Sequence, residues 1–161
     1  MSEPDPDFRE RHLRSADFLG AFGVLRRDDA ILLVGNERTI AGQQRLCWDL
    51  PGGQVEPGEL IEQALARELR EEIGVAVMGN APFLFVQEGE RVLGGKRQYA
   101  WRSFFFAVPA WHGEPVASGE VCGMRWVPIA ELPALLEAPY HDSFRQWLAG
   151  GGVWFQSRWA D

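Results

Sequence analysis

Glu68, Glu71 and Glu72 are the residues whose type and spacing could do chemistry in this sequence. They lie in residues 58–73, a stretch rich in Glu, Leu, Ala and Arg without internal proline or glycine, which predicts a helix that ends at Gly74. With Leu60 at 0° on a helical wheel, Glu71, Glu68 and Glu72 fall at about 20°, 80° and 120°, among the apolar side chains. The wheel therefore predicts three carboxylates that point inward together.

Carboxylates that are crowded together and partly removed from water repel one another, and cations are the natural compensation. Mg²⁺ prefers oxygen ligands and often shares its coordination shell between carboxylates and substrate phosphates, so the cluster predicts phosphate chemistry. The alternative is an ordinary surface network in which the glutamates pair with Arg67 or Arg70. The preceding turn, Gly52-Gly53, favours the first interpretation, because a backbone without side chains can approach the same ions and substrate.

The residues around this helix also have a characteristic spacing. In order they are Gly53, five residues, Glu59, seven residues, Arg67-Glu68-Leu69, one residue, Glu71-Glu72, one residue, and Gly74-Val75. The pattern resembles the Nudix hydrolase box at every defined position, and residues 48–52 and 124–128 also look like family segments. The resemblance implies an α/β fold, an α/β/α sandwich with a central mixed β-sheet, in which the box forms a loop, a helix and a loop.

The resemblance also implies roles for individual residues. Carboxylates at the matching positions hold divalent cations or activate water, and the cation is expected to be Mg²⁺, with Mn²⁺ as a substitute. Arg67 resembles the family arginine that orients neighbouring glutamates, and Glu59 looks like a loop-stabilising residue. The expected metal ligands are Glu68, Glu71, Glu72 and the carbonyl of Gly52.

A further base or metal ligand in this family often comes from a loop outside the box. Glu120, just before a strand predicted over residues 121–127, is the candidate, and an ordinary exposed loop glutamate is the equally weighted alternative. The competitors for the role are Glu88, Glu90 and Glu114.

Composition limits the class of protein and of partner. The 161 residues, with 46% hydrophobic and 24% charged side chains, fit one globular domain, which we assign to residues 16–161 after a flexible leader over residues 1–15. A net charge of −7 disfavours nucleic acid polymers as partners. A small polyanion remains compatible with this charge when metal ions mediate its binding.

Cellular context follows from the cysteines and from the hydropathy of the chain. Cys47 and Cys122 are far apart and lack metal-ligand spacing, which predicts free thiols in a reducing cytoplasm. No apolar run approaches the roughly 18 residues that a bilayer span requires, so a membrane partner is not expected. The sequence leaves open whether the active form is a homodimer.

Apolar runs outnumber helical segments, so most of the remaining chain is predicted as strands. Residues 36–45 and 89–96 are polar or glycine-bearing and are predicted as loops, and residues 143–148 as a late helix. Residues 153–155 are predicted as a closing strand or a docked tail. Lone histidines such as His141 are interpreted as structural or exposed, and no aromatic residue is assigned to contact a base.

The function that these residues indicate is hydrolysis of the diphosphate linkage of a nucleoside triphosphate or another nucleoside diphosphate derivative, such as a dinucleotide or a nucleotide sugar. Residues 89–91 lack the markers of the coenzyme A, NADH and ADP-ribose subfamilies. Two alternatives remain: a nucleotide-sensing or binding module with weak or lost catalysis, and an α/β domain that binds no metal.

Overall fold

The computed structural model describes residues 17–160, and the leader predicted for residues 1–15 lies outside this range. The strands are β1 (Phe18–Val24), β2 (Arg26–Arg27), β3 (Ala30–Ile40), β4 (Gln43–Asp49), β5 (Gly52–Gln54), β6 (Ala76–Val77), β7 (Phe83–Leu93), β8 (Lys96–Ala107), β9 (Trp111–His112), β10 (Gly123–Pro128) and β11 (Trp154–Ala160).

The helices are α1 (Ile61–Ile73), α2 (Leu132–Leu135) and α3 (Asp142–Gly150). Helix α1 ends at Gly74, as predicted, because this glycine adopts the left-handed conformation with φ of 69° and its N–H caps the last turn. The helix begins later than predicted, and Leu60 lies before it with 69% of its surface exposed. No helix in the described part of the chain is long and apolar enough to cross a bilayer.

The central sheet has the strand order β11-β7-β8-β1-β5. It is mixed, because β1 and β8 are parallel, β7 and β11 are parallel, and the other neighbours are antiparallel. A second, antiparallel sheet contains β10, β3 and β2, with β4 paired to β3. This arrangement confirms the predicted sandwich with a central mixed sheet.

Strand β3 lies between the two hydrophobic cores of the protein, which explains why its first half is apolar at consecutive positions. Leu32 and Val34 belong to the core under α1, whereas Ile31 and Leu33 belong to the core under α2 and α3. Side chains alternate across a strand, so both faces are buried only if neighbouring residues are all apolar.

Close packing holds α1 against the central sheet. A Cβ atom on Gly23 of β1 would lie 3.4 Å from a methyl carbon of Leu65 and 3.4 Å from one of Leu69. Both leucines are almost completely buried. Helix α1 is thereby fixed above β1, and the β5 segment that follows the Pro51 turn lies beside it.

The strands are longer than their apolar runs predict. Residues 36–45, predicted as a loop, form the outer part of a hairpin between β3 and β4. Residues 89–96 likewise belong to the hairpin of β7 and β8, which turns at Gly94-Gly95. In the β3–β4 hairpin the backbone pairing continues into solvent-exposed polar residues, which hydrophobic periodicity does not detect. In the β7–β8 hairpin the paired residues include Gly89 and the charged Glu90 and Arg91, which are not typical strand residues. Strand β11 extends the predicted residues 153–155 to Ala160.

We predict that Leu69→Ala lowers the free energy of unfolding by about 2–5 kcal/mol, because it removes buried contacts between α1 and the sheet. Arg70→Ala, on the exposed face of the same helix, is the matched control and should change it by less than about 0.5 kcal/mol. Chemical denaturation measures both values. Similar losses in the two variants would show that α1 is not anchored through this face.

Candidate active site

Two glycines bring the backbone of β5 into contact with α1. A Cβ atom on Gly53 would lie 2.7 Å from the carboxyl carbon of Glu68, so only glycine leaves room for that carboxylate. At Gly52, φ is 145° and a Cβ atom would lie 2.2 Å from the carbonyl oxygen of Ala21. The two glycines therefore allow the β5 backbone to lie against both α1 and β1.

The polar backbone groups of Gly52 lie outside the ladder between β1 and β5. Gly23 N–H donates to Pro51 O at 2.9 Å and Val55 N–H donates to Leu19 O at 2.8 Å. Because hydrogen-bonded and non-hydrogen-bonded pairs alternate along an antiparallel ladder, Gly52 is at a position whose N–H and C=O point away from β1. Gly52 N–H donates instead to Oε2 of Glu72 at 3.0 Å. The backbone at Gly52 thus faces the carboxylates of α1.

Arg67 connects the loop before α1 to the glutamates on the helix. Its Nε and Nη2 donate to the two oxygens of Glu59 at 2.7 and 3.0 Å, and Nη2 also donates to Gln54 O at 2.9 Å. Its Nη1 donates to Glu68 at 3.0 Å and to Glu71 at 3.2 Å. All five N–H donors of the guanidinium are engaged. Although the wheel places Arg67 on the solvated face, only 23% of its side chain is exposed.

Glu59 accepts two hydrogen bonds from Arg67, one on each carboxylate oxygen. Hydrogen bonds from Arg67 and from the backbone N–H of Glu56 lower the pKa of Glu59 to about 2. This carboxylate is consequently ionised at neutral pH and fixes the turn at the start of α1, in agreement with the loop-stabilising role that the resemblance implies.

Glu68 and Glu72 are held in a different electrostatic environment. Burial raises the pKa of Glu68 more than the neighbouring Arg67 lowers it. Burial also raises the pKa of Glu72 to about 8, with the charges of Glu68 and Asp49 acting in the same direction. Both carboxylates therefore lack sufficient positive charge within the protein, and added cations would stabilise their ionised forms.

Glu71 differs from the wheel prediction that all three glutamates point inward. Its side chain is 59% exposed, compared with 15% for Glu68. The buried residues of α1 extend from Ala64, near 40° on the wheel, to Ile73, near 220°. Glu71, at about 20°, lies at the margin of this arc and reaches solvent.

The loop that carries Glu120 closes the C-terminal end of α1. Ser118 N–H donates to Glu72 O at 2.8 Å, and the Ser118 hydroxyl donates to the backbone oxygen of Glu71. A Cβ atom on Gly119 would lie 3.0 Å from that same oxygen. The structure thus brings the Glu120 loop to the end of the helix where two of the glutamates are located.

The competing glutamates are engaged in ion pairs elsewhere. Glu88 accepts from Arg102 at 3.0 Å and Glu90 accepts from Arg97 at 2.7 Å, both along the β7–β8 hairpin. Glu114 pairs with Arg27 at 3.0 Å. Arg97 and Arg102 of this hairpin accordingly form surface ion pairs.

A cavity of about 450 Å³ opens between the central sheet and the β3–β4 hairpin. Its walls are mostly aromatic, and Asp49 and Leu50, just before the Gly52-Gly53 turn, line it. The same short segment therefore contributes to the cavity and to the carboxylate cluster.

A buried polar network that sequence reasoning missed lies at one wall of this cavity. Oδ1 of Asp49 is hydrogen-bonded to the Tyr140 hydroxyl and to Nε2 of His141, each at 2.8 Å. Oδ2 accepts from Asn36 at 2.9 Å and from Nη2 of Arg38 at 3.3 Å. Burial raises the pKa of Asp49, but these partners outweigh it and hold the pKa at about 2.

The network had little signal in the sequence. Asn36 and Arg38 belong to residues predicted as a loop, and His141, interpreted as structural or exposed, is buried and paired. Arg38 also lies close enough to Glu72 for its charge to lower the pKa of that carboxyl. It is therefore positioned between the cavity and the carboxylate cluster.

The donor set of the cluster suits a hard cation. Glu68, Glu71, Glu72 and Gly52 O supply oxygen atoms, which Mg²⁺ and Mn²⁺ prefer. Within residues 17–160 no three acidic, imidazole or thiol side chains surround a common point as they stand. Glu68 and Glu71 are instead turned to Arg67, and Glu72 is turned to Gly52 N–H. A shared coordination shell would require these side chains to turn away from Arg67 and from Gly52 N–H.

Comparison with known proteins agrees with this geometry. The profile of the NUDIX domain matches residues 17–148. The chain is 30% identical to the 8-oxo-dGTP diphosphatase of Escherichia coli over 114 residues, covering 71% of this chain and 82% of that protein. It is 38% identical to the CTP pyrophosphohydrolase of Escherichia coli over 93 residues, covering 56% and 61% of the two chains.

A solved structure shares both the fold and part of the sequence. The crystal structure of the MutT NUDIX hydrolase from Burkholderia pseudomallei superposes with a TM-score of 0.64 and 28% identity. The superposition covers 84% of this chain and 98% of that chain. The chain therefore belongs to the Nudix family and is a MutT-like hydrolase of phosphorus-containing acid anhydrides.

Proposed function

We propose that this protein is a Mg²⁺-dependent pyrophosphohydrolase that cleaves the diphosphate linkage of a nucleoside triphosphate or another nucleoside diphosphate derivative. The observation that carries the proposal is the pair of partly buried carboxylates, Glu68 and Glu72, whose raised pKa values mark a deficit of positive charge. They lie beside the Gly52-Gly53 backbone, and Asp49 and Arg38, whose charges act on Glu72, line a cavity large enough for a small molecule.

The proposed ligands of the divalent cations are Glu68, Glu71, Glu72 and the carbonyl of Gly52. When bound, such cations neutralise phosphate oxygens and make a coordinated water more acidic. The ionised glutamates hold the cations, and Arg67 fixes the carboxylates of Glu68 and Glu71 relative to the loop. The positions of Gly52 and Gly53 allow the substrate phosphates to approach the backbone closely.

Proton removal from the attacking water is assigned to a carboxylate near the end of α1. Glu120 is the proposed base, because its loop is hydrogen-bonded to the helix end that carries Glu71 and Glu72. Glu71 is the alternative, because its carboxylate is more than half exposed and can reach solvent. The products are two phosphate-containing fragments, with the water oxygen on the attacked phosphorus.

The nucleoside end of the substrate is proposed to occupy the aromatic cavity. Phe22 and Phe105 line it and stack on each other with ring centroids 5.4 Å apart. Arg38, with 48% of its side chain exposed, is suited to contact the phosphate nearest the nucleoside. The names of the two Escherichia coli relatives, which refer to CTP and 8-oxo-dGTP, support a nucleotide as substrate.

Three further predictions belong to the same proposal. Cys47 and Cys122 are free thiols, which supports a reducing compartment such as the cytoplasm. A single catalytic domain over residues 16–161 and homodimer formation both stay predictions. Sedimentation of the full chain at several concentrations tests whether it forms a homodimer.

We predict that Glu68→Gln and Glu72→Gln each lower kcat by at least about 100-fold, because an amide cannot supply the negative charge that holds a cation. Glu62→Gln, an exposed glutamate on the same helix, is the control and should retain wild-type activity. Product release is measured by mass spectrometry with Mg²⁺ over nucleoside triphosphates, dinucleotides and nucleotide sugars.

The same assays distinguish the enzyme from a binding module. A binding module would retain nucleotide affinity while wild type and both glutamine variants released no product from any compound. That result would overturn the proposed hydrolysis. If wild type hydrolyses a nucleotide and both glutamine variants do so at the same rate, these carboxylates are excluded as cation ligands.

Stability should depend on pH in the absence of divalent cations. The pKa of Glu72 is raised to about 8 in the folded protein, above its unfolded value, so the folded state holds the proton more tightly. This contribution to stability is complete below about pH 4.5 and is lost as pH rises toward 8, with a slope of at most about 1.4 kcal/mol per pH unit.

Chemical denaturation between pH 5.5 and pH 8.5 measures this dependence. Glu72→Gln should flatten it, because the amide does not titrate, and added Mg²⁺ should restore stability mainly at the upper end of the range. An unchanged pH dependence in Glu72→Gln would contradict the assignment of this pKa.

A further inference from the structure

Strand β11 lies after the residues that match the NUDIX domain, which end at residue 148. It extends the central sheet by pairing in parallel with β7. Alternate residues of β11 face opposite sides: Phe155, Ser157 and Trp159 are half-buried, whereas the residues between them are exposed. Trp159 lines the aromatic cavity, so a segment outside the matched domain supplies part of its wall.

Specific contacts hold the Trp159 ring in this wall. The guanidinium of Arg91 lies over the indole, 4.2 Å from the ring centroid, and Nη1 of Arg91 donates to Trp159 O at 3.2 Å. The Tyr140 ring, which also lines the cavity, lies next to the indole with the two ring centroids 5.8 Å apart. Trp159 therefore contacts both the central sheet, through Arg91, and the segment that contains Tyr140.

Two polar side chains on the sheet face the same cavity. Gln87 and Ser103 are direct neighbours across β7 and β8, and both are at least 96% buried. Nε2 of Gln87 donates to Tyr140 O at 2.9 Å, which fixes the orientation of the amide. Among residues 17–160, its Oε1 and the Ser103 hydroxyl have no hydrogen-bond partner, so a ligand can use both.

We propose that β11 is a substrate-recognition element, in which the Trp159 ring forms the aromatic wall against which the heterocyclic base of the nucleotide packs. Gln87 and Ser103 then hydrogen-bond to the polar edge of the base. An aromatic wall next to a polar pair fits a heteroaromatic ring better than a sugar or an aliphatic chain. The inference rests on the proposed function, since it concerns the nucleoside end of the same substrate.

The expected effect is a loss of affinity with the catalytic step preserved. Base stacking on an aromatic side chain contributes enough binding that its removal weakens affinity by roughly 5- to 150-fold. The proposed cation ligands are on α1 and β5, whereas Trp159 is on the opposite edge strand of the central sheet. Substitution of Trp159 should therefore raise KM and leave kcat within about twofold of wild type.

The test compares four full-length proteins: wild type, Trp159→Leu, Trp159→Phe and Trp154→Leu. Leucine keeps an apolar side chain without an aromatic face, and phenylalanine restores such a face. Trp154 is on the same strand but is 54% exposed and points away from the cavity, which makes it the matched control. Two quantities are measured: kcat and KM for the best nucleotide, and the Kd of the nucleoside monophosphate product by calorimetry without metal.

We expect Trp159→Leu to raise KM and the monophosphate Kd about tenfold or more, Trp159→Phe to recover most of the loss, and Trp154→Leu to match wild type. Thermal melts verify that all four proteins are folded, and Trp159→Met, which also lacks an aromatic face, replaces Trp159→Leu if leucine prevents folding. Wild-type KM and Kd in a folded Trp159→Leu, or equal losses in Trp154→Leu, would overturn the proposal.

The two proposals fail separately. If Trp159→Leu weakens binding of the monophosphate but wild type hydrolyses no nucleotide, the proposed hydrolysis is contradicted and the role of Trp159 in base binding is supported. Wild type that hydrolyses nucleotides with the same KM as Trp159→Leu would contradict the wall alone.

Discussion

The site depends on Arg67, whose single positive charge contacts three carboxylates and cannot neutralise all of them. Arg67 directs all five of its N–H groups at the loop and at three glutamates, so the geometry of the cluster is fixed by a single side chain. Its bidentate contact goes to Glu59, which therefore has the low pKa. Glu68 and Glu72 are left with raised pKa values, and this residual demand for positive charge is what makes the cluster suited to cations.

The second constraint is the absence of side chains at Gly52 and Gly53. Because Gly53 has no Cβ, the Glu68 carboxylate can lie against the β5 backbone, and Gly52 can donate its N–H to Glu72. The residues immediately before this turn line the aromatic cavity. The connection between β4 and β5 thus lies between the proposed phosphate end of a substrate and its proposed nucleoside end. Metal ions held by the carboxylates would also allow a chain of net charge −7 to bind a polyanion.

The parts of the fold and site that could be predicted are those encoded within short stretches of sequence. Helix α1, its end at Gly74, and the proximity of Glu68 and Glu72 follow from periodicity and spacing over about 20 residues. The Asp49 network could not be predicted, because His141 is 92 positions away from Asp49 and an isolated histidine carries no pattern. The outer β3–β4 hairpin was predicted as a loop because its residues are polar on both faces. The place of Trp159 in the cavity wall has no local sequence signal either, because it depends on β11 pairing with a strand far away in the chain.

We propose that Glu72 holds a proton near neutral pH until a divalent cation replaces it. Calorimetric titration of the protein with Mg²⁺ at pH 7, repeated in buffers of different ionisation enthalpy, measures the number of protons released on binding. A pKa of about 8 for Glu72 predicts release of about one proton per bound Mg²⁺ by wild type and markedly less per bound Mg²⁺ by Glu72→Gln. Binding of Mg²⁺ to wild type without proton release, or equal release by the two proteins, would contradict the account.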